Sequence, residues 1–137
     1  INSAPGPCLI MAGSGMCNGG RILHHLKYNL WRMETSVLIV GFQAAGTLGR
    51  RLVERAPMVR IFGEPIAVRA GVHTLGGFSA HAGQTDLLRW FSAMAASRPR
   101  VVLCHGEDKA RQTLEGKLRE RFSVDTITPA LGETVTL

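Results

Sequence analysis

Short apolar runs alternate along this chain with segments of helical period, and this alternation most constrains the fold. The clearest run is Ser36 to Phe42, which is apolar at nearly every position and is typical of a strand buried on both faces of a parallel sheet. A helix is predicted after Thr47, a candidate N-cap residue. Strands that alternate with helices favour an α/β fold, with a largely parallel sheet flanked by helices.

The remaining segments continue the same pattern. In the first helix Ile22, Leu23, Leu26 and Leu30 form one apolar stripe. The predicted helices cover about residues 18–31, 48–55 and 108–122, and a further helix has its apolar face at 87–95 and ends before Pro99. The predicted strands cover 8–12, 36–42, 58–62, 65–75, 101–104, 124–127 and 133–137, and the third and fourth form a hairpin around Gly63.

Two glycine-rich loops precede the first two helices. Gly13-Ser14-Gly15 follows the first apolar run, and Gly46-Thr47-Leu48-Gly49 follows the second, with arginines along the helix after it. Backbone N–H groups at helix starts, together with guanidinium groups, suit phosphate, so we expect a phosphate-holding crevice. The plainer alternative is that the glycines only permit tight turns. A dinucleotide fingerprint is disfavoured, because the glycine spacing is wrong and no acidic residue is suitably placed downstream.

Two histidines occupy comparable places in the second half of the chain. His81 and His105 each lie at a strand or loop end just before a predicted helix. Open α/β sheets carry their sites beyond the carboxyl ends of the strands, so we expect both to face one cleft. An imidazole there can bind a metal ion or transfer a proton near neutral pH. The alternative is that both are ordinary loop histidines, since two isolated histidines do not make a ligand set.

Composition adds three constraints. The 137 residues suffice for a compact core, and the net charge of +6 with a pI near 10.0 favours polyanionic partners. Three widely spaced cysteines without a Cys-x-x-Cys pair fit reduced thiols in or near the core of a cytoplasmic protein. No apolar run approaches the roughly 20 residues of a membrane helix, so no membrane partner is expected. The chain begins at Ile1 and is interpreted as an internal fragment.

The order of these motifs resembles a known family. Phe78-Ser79-Ala80-His81-Ala82, followed by His105-Gly106-Glu107, is similar to motifs B and C of the β-CASP branch of metallo-β-lactamase-fold nucleases. The likeness extends back through the segments 14–26 and 41–50, and so covers nearly the whole chain. On this resemblance, residues 1–75 correspond to the C-terminal half of a β-CASP domain, and residues 76–137 to the returning segment of the metallo-β-lactamase-like domain.

The resemblance implies a mechanism and roles for four residues. The family uses two zinc ions to activate a water molecule that attacks a phosphodiester. His105 would be a zinc ligand, and His81 would protonate the leaving oxygen or stabilise its charge. Ser79 would hold a phosphate, and Glu107 would orient a metal ligand. Histidine at position 105 marks RNA-directed members of the family, whereas DNA-directed relatives tend to carry valine there.

One departure from the family pattern limits these expectations. The main zinc motif, His-x-His-x-Asp-His, has no match in the sequence, and a catalytic zinc normally needs three protein ligands. We therefore expect part of a zinc-dependent ribonuclease of RNA processing or decay that is inactive alone, holds no stoichiometric zinc and needs the preceding half of its parent chain. The alternative is a non-catalytic RNA-binding or scaffold paralogue.

The sequence leaves several questions open. A serine hydrolase is disfavoured, because the segment 77–81 lacks the second glycine of a nucleophile elbow. The sequence does not distinguish an endonuclease from a 5′ exonuclease, and it leaves a homo-oligomer open.

Overall fold

The computed structural model describes residues 5–78 and 81–136, and the chain divides into two compact units, Ile1–Ser79 (unit 1) and Ala80–Leu137 (unit 2). The described elements of unit 1 are α1 (Arg21–Asn29), β1 (Ser36–Ile39), α2 (Leu48–Val53), β2 (Met58–Ile61), β3 (Glu64–Ala67) and β4 (Gly71–Thr74). Those of unit 2 are α3 (Gln84–Ser92), a 3₁₀ turn (Ala95–Ser97), β5 (Val101–Val102), α4 (Asp108–Phe122) and β6 (Thr126–Ile127).

The described residues of unit 1 form one parallel and one antiparallel strand pair. β1 runs parallel to β4, with Val37 opposite Val72. β2 and β3 form the predicted hairpin, in which Phe62 and Gly63 both have positive φ, as a tight turn of this hand requires. The predicted strand over 65–75 is in fact two strands, β3 and β4, because the chain between them leaves the hairpin.

The core of unit 1 forms where α1 packs on the strands and on α2. Leu26 and Leu30 from the predicted stripe are buried, and Leu30 is fully enclosed together with Leu52 of α2. Val59 and Ile61 of β2 close the same cluster. The apolar stripe of α1 thus lies where the helical period predicts it.

Unit 2 has a smaller core between α3 and α4. Leu88 and Phe91 of α3 pack with Leu118 and with Val124, the second residue after α4. The rings of Phe91 and Phe122 meet edge to face, with centroids 5.2 Å apart. β5 pairs in parallel with β6, and like β1 and β4 these strands are short.

The prediction of a largely parallel sheet is confirmed only in part. The described residues form three separate two-stranded sheets, two of them parallel, in a mixed α/β arrangement. The segment Cys8–Ala12 is not a strand, because no neighbouring strand pairs with it among the described residues, and residues 133–136 likewise form none. The run from Ser36 is not buried on both faces: Ile39 is buried, but Leu38 is 51% exposed.

The three cysteines occupy different environments. Cys17 is buried in the core of unit 1, and this burial raises the pKa of its thiol. Cys8 and Cys104 are exposed, so the expectation that all three lie in or near the core is wrong for these two. Both lie in segments without secondary structure, where no layer covers them.

In the described part of the chain, every helix is too short or too polar to cross a bilayer.

Candidate active site

His105 lies in the turn that joins β5 to α4. Strand pairing reaches Leu103, whose N–H donates to the Ile127 carbonyl at 2.8 Å. The chain then turns through His105 at φ 63° and Gly106 at φ 87°, both in the left-handed region. Glycine adopts this conformation freely, whereas for another residue it costs on the order of 1 kcal/mol or more and is frequent at functional sites.

This backbone conformation alone does not single out His105. Among the residues that the structure describes, five other non-glycine residues have positive φ, namely Cys17, Arg55, Phe62, Arg98 and Ser123. What distinguishes His105 is its place beside an open pocket of about 540 Å³ within unit 2. The turn at His105, Gly106 and Glu107 lines this pocket, together with Gln84 of α3 and Lys109 of α4. Imidazole, carboxylate and ammonium groups therefore belong to one concave surface.

His81 is exposed and lies two residues before Gly83, the N-cap of α3. Among the described residues of this segment, Gln84 and Leu87 line the pocket, and His81 does not. The expectation that both histidines face one cleft therefore stays a prediction. Ser79, the expected phosphate contact, lies outside the described residues.

Glu107 and Arg111 shape the start of α4. Glu107 is the N-cap residue, yet its side chain makes no capping hydrogen bond to the helix. Arg111 pairs with Asp108, and its Nη1 donates to the Pro129 carbonyl at 2.9 Å. Its Cγ also lies 3.8 Å from the position of a Cβ on Gly106. Arg111 thus ties the segment after β6 to the His105 turn.

This role of Arg111 was not predicted from the sequence. The signal that could have found it is the spacing of Asp108 and Arg111, which are three positions apart at the start of a predicted helix. The contact with Pro129 has no sequence signal, because it joins positions 18 residues apart.

The donor set does not fit a zinc ion. Among residues 5–78 and 81–136, no group of three or more histidine, cysteine, aspartate or glutamate side chains is placed to hold a metal. A catalytic zinc site normally has three protein ligands, so His105 can supply at most one of them. We therefore derive no step of a reaction through a metal held by these residues.

The two glycine loops of unit 1 contact each other through Gln43 and Asn18. The buried Gln43 donates from Nε2 to the Gly15 carbonyl at 2.9 Å, and Asn18 Oδ1 accepts from the N–H of Leu48 at 3.0 Å. Neither residue was singled out from the sequence, and neither carries a spacing signal. The loops are therefore adjacent, as expected.

The phosphate-holding crevice expected between these loops is not supported. The N–H of Gly49 donates to the Met16 carbonyl, and the N–H of Arg50 donates to Thr47 Oγ1, so donors at the start of α2 already have protein acceptors. Arg50 pairs with Glu54, and Arg51 donates to the Met58 carbonyl. The plainer interpretation, that these glycines permit tight turns and close packing, fits better.

Two family models match successive parts of the chain, and the second match begins within unit 1. A sequence model of the Beta-Casp domain matches residues 1–52, and a model described as the Zn-dependent metallo-hydrolase RNA specificity domain matches residues 65–129. The chain belongs to the β-CASP branch of the metallo-β-lactamase-fold family, as its motifs predicted.

The chain is also similar to individual proteins along most of its length. The chain is 52% identical over 118 residues, 86% of its length, to the ribonuclease TTHA0252 of Thermus thermophilus, of which it covers 26%. It is 34% identical over 136 residues, 96% of its length, to the transcription termination factor FttA of Pyrococcus abyssi, of which it covers 21%. The corresponding factor of Pyrococcus horikoshii is 32% identical over 136 residues, with 96% of this chain and 21% of the relative covered. The chain thus spans about a quarter or less of these relatives.

Proposed function

We propose that this chain is part of a zinc-dependent ribonuclease that hydrolyses RNA phosphodiester bonds in RNA processing or decay. The observation that carries the proposal is the position of His105, held in a left-handed turn at the end of β5 and beside an open pocket. The 52% identity to a protein named as a ribonuclease supports the same reaction class. We also propose the division into residues 1–75 and 76–137 that the resemblance implies.

The proposed roles follow the chemistry of each side chain. His81 donates a proton to the leaving oxygen, which an exposed imidazole can do near neutral pH. In a longer polypeptide that also provides the other ligands, His105 would supply one ligand to a zinc ion and Glu107 would orient that ligand. Ser79 holds a phosphate of the substrate. When bound, zinc supplies an activated water and charge neutralisation.

Because the donor set does not fit a zinc ion, we propose that the 137 residues alone are inactive. The test is metal analysis of the purified chain, together with an assay on labelled single-stranded RNA. We expect less than one zinc per chain and no cleavage above the background of a mock purification. Stoichiometric zinc with cleavage would overturn this part of the proposal.

The role of His105 is tested in a longer polypeptide that contains this chain and binds zinc. We expect His105→Ala to lower zinc affinity by more than the roughly 10- to 100-fold that loss of a residue orienting a ligand costs, and to lower cleavage with it. The matched control is His73→Ala, since His73 is an exposed histidine of β4 in unit 1. Equal zinc affinity and equal cleavage in the two variants would refute a metal-binding role for His105.

A further inference from the structure

Two aromatic rings lie exposed at the C-terminal end of α1. Tyr28 is 47% and Trp31 is 50% exposed, although both follow closely on Leu26, which is buried. Leu30, directly before Trp31, has no exposed surface. The core of unit 1 is thus closed by the leucines, and the two rings remain at the surface without contributing to it.

Arginines accompany these rings. The Arg32 guanidinium carbon lies 5.3 Å from the centroid of the Trp31 ring, a cation–π distance. The backbone N–H of Arg69 donates to the Leu30 carbonyl at 2.8 Å, which places the loop before β4 next to Trp31. The side chains of Arg32 and Arg69 are exposed, and among the described residues neither makes an ion pair.

Two other charged residues, Lys27 and Glu34, lie close to this surface in the sequence. Lys27 lies 5.9 Å from the Tyr28 centroid but is paired with Glu64 at 2.6 Å, and its hydrogen bond to that carboxylate raises the pKa of Lys27. Glu34 is the one acidic residue in the segment 27–35. Two arginines at this surface thus make no ion pair among the described residues: Arg32, whose guanidinium lies against the Trp31 ring, and Arg69, whose backbone contacts Leu30.

We propose that Tyr28, Trp31, Arg32 and Arg69, here called the α1-end surface, bind single-stranded RNA. Bases stack on the rings, and phosphates bind the arginines, which is the combination that proteins use for single strands. A purely apolar protein partner would leave both arginines desolvated and unpaired, which is unfavourable. The surface lies about 13 Å along α1 from the Gly13–Gly20 loop, given nine helical residues of 1.5 Å rise. This inference rests on the proposed action on RNA.

The chain carries two tryptophans, Trp31 and Trp90, so each can be observed alone. In Trp90→Phe, intrinsic fluorescence reports Trp31, and in Trp31→Phe it reports Trp90. Trp90 is a fair control, since it is 64% exposed on α3. The probe is a short oligouridylate, and heparin serves as a polyanion without bases. We expect the oligouridylate, but not heparin, to quench Trp31, and neither to quench Trp90.

Affinity is measured in parallel by anisotropy of a labelled oligouridylate. We expect Trp31→Ala to weaken binding about tenfold. Arg32→Ala combined with Arg69→Ala should make the log–log salt slope shallower by about 0.7 for each phosphate that the double variant no longer neutralises. All four side chains are exposed, so circular dichroism should show unchanged folding.

Two results would overturn the inference. If RNA binds while Trp31 emission and the affinity of Trp31→Ala stay unchanged, the α1-end surface is refuted but the action on RNA is not. If the chain binds no RNA, the inference fails, while cleavage by the longer polypeptide separately decides the proposed function.

Discussion

The side chain of Gln43 connects the two glycine loops of unit 1 through hydrogen bonds. Its Nε2 amide donates to the carbonyls of Gly15, Gly41 and Phe42, at 2.9, 3.1 and 3.1 Å. A Cβ on Gly49 would overlap the Oε1 atom of Gln43. Glycine at position 49 is therefore required for space, since no side chain fits between α2 and Gln43.

We predict that Gly49→Ala destabilises unit 1 by about 1–3 kcal/mol, because the added methyl group must displace Gln43 from its buried hydrogen bonds. Urea denaturation followed by circular dichroism measures the change. Gly41→Ala is the matched control, since a Cβ there meets no atom within 4 Å. Equal stabilities of the two variants would show that Gln43 is not packed as described.

The burial of Cys17 in the core of unit 1 can be tested by comparing the reactivities of the three cysteines. Burial raises the pKa of the Cys17 thiol above its ordinary value of 9.0, so the thiol stays protonated in the folded protein. We predict that Cys8 and Cys104 react with a thiol reagent at neutral pH, and that Cys17 reacts only in denaturant. Because the folded thiol has the higher pKa, its contribution to stability is present below about pH 9 and is lost as pH rises further. Rapid labelling of all three cysteines without denaturant would contradict this.

Among the elements, the helices could be predicted more reliably than the strands. The helix predicted over 108–122 is α4 with the same bounds, because its apolar period and its acidic start are local properties of the sequence. A strand needs a partner, which a local pattern does not show. The apolar run 8–12 therefore has the pattern of a strand, but it forms no strand among the described residues. The segment predicted as one strand over 65–75 forms two strands, β3 and β4, which pair with different partners.

The N-cap of α2, Thr47, can be tested by mutation. Thr47 Oγ1 accepts from the N–H of Arg50 at 3.1 Å and donates to the Ala44 carbonyl at 2.7 Å, as the sequence suggested for an N-cap. We expect Thr47→Ala to cost about 1–2 kcal/mol in thermal or urea unfolding. Thr113→Ala serves as control, since this exposed hydroxyl donates only to the Lys109 carbonyl within α4 and its loss should be nearly neutral. A cost for Thr47→Ala no larger than for Thr113→Ala would exclude the capping role.

For the whole molecule, the family could be recognised from ordered motifs, whereas the site could be predicted only in part. His105 lies beside a pocket, as a histidine after a strand should, but the contact between Arg111 and Pro129 depends on tertiary packing that no local pattern encodes. The phosphate crevice is not supported, because donors at the start of α2 such as the N–H groups of Leu48 and Gly49 already pair with acceptors that lie far away in sequence.

The net charge of +6 gives a prediction for the whole chain. Binding of single-stranded RNA should weaken as salt rises, with a log–log slope of about −0.7 for each phosphate neutralised. Titrations of labelled RNA at several salt concentrations measure this slope. An affinity that does not change with salt would exclude phosphate contacts as a source of binding.

The most direct test of the proposed function is cleavage of a labelled single-stranded RNA by the longer polypeptide that contains this chain, assayed with zinc. His81→Ala and a DNA strand of matched sequence are run beside it. We expect the RNA to be cut, the DNA to be cut far more slowly, and the rate on RNA to fall about 10²- to 10⁴-fold in His81→Ala, as the loss of a general acid predicts. RNA that is bound but not cut by the wild type, or a rate unchanged in His81→Ala, would contradict the account.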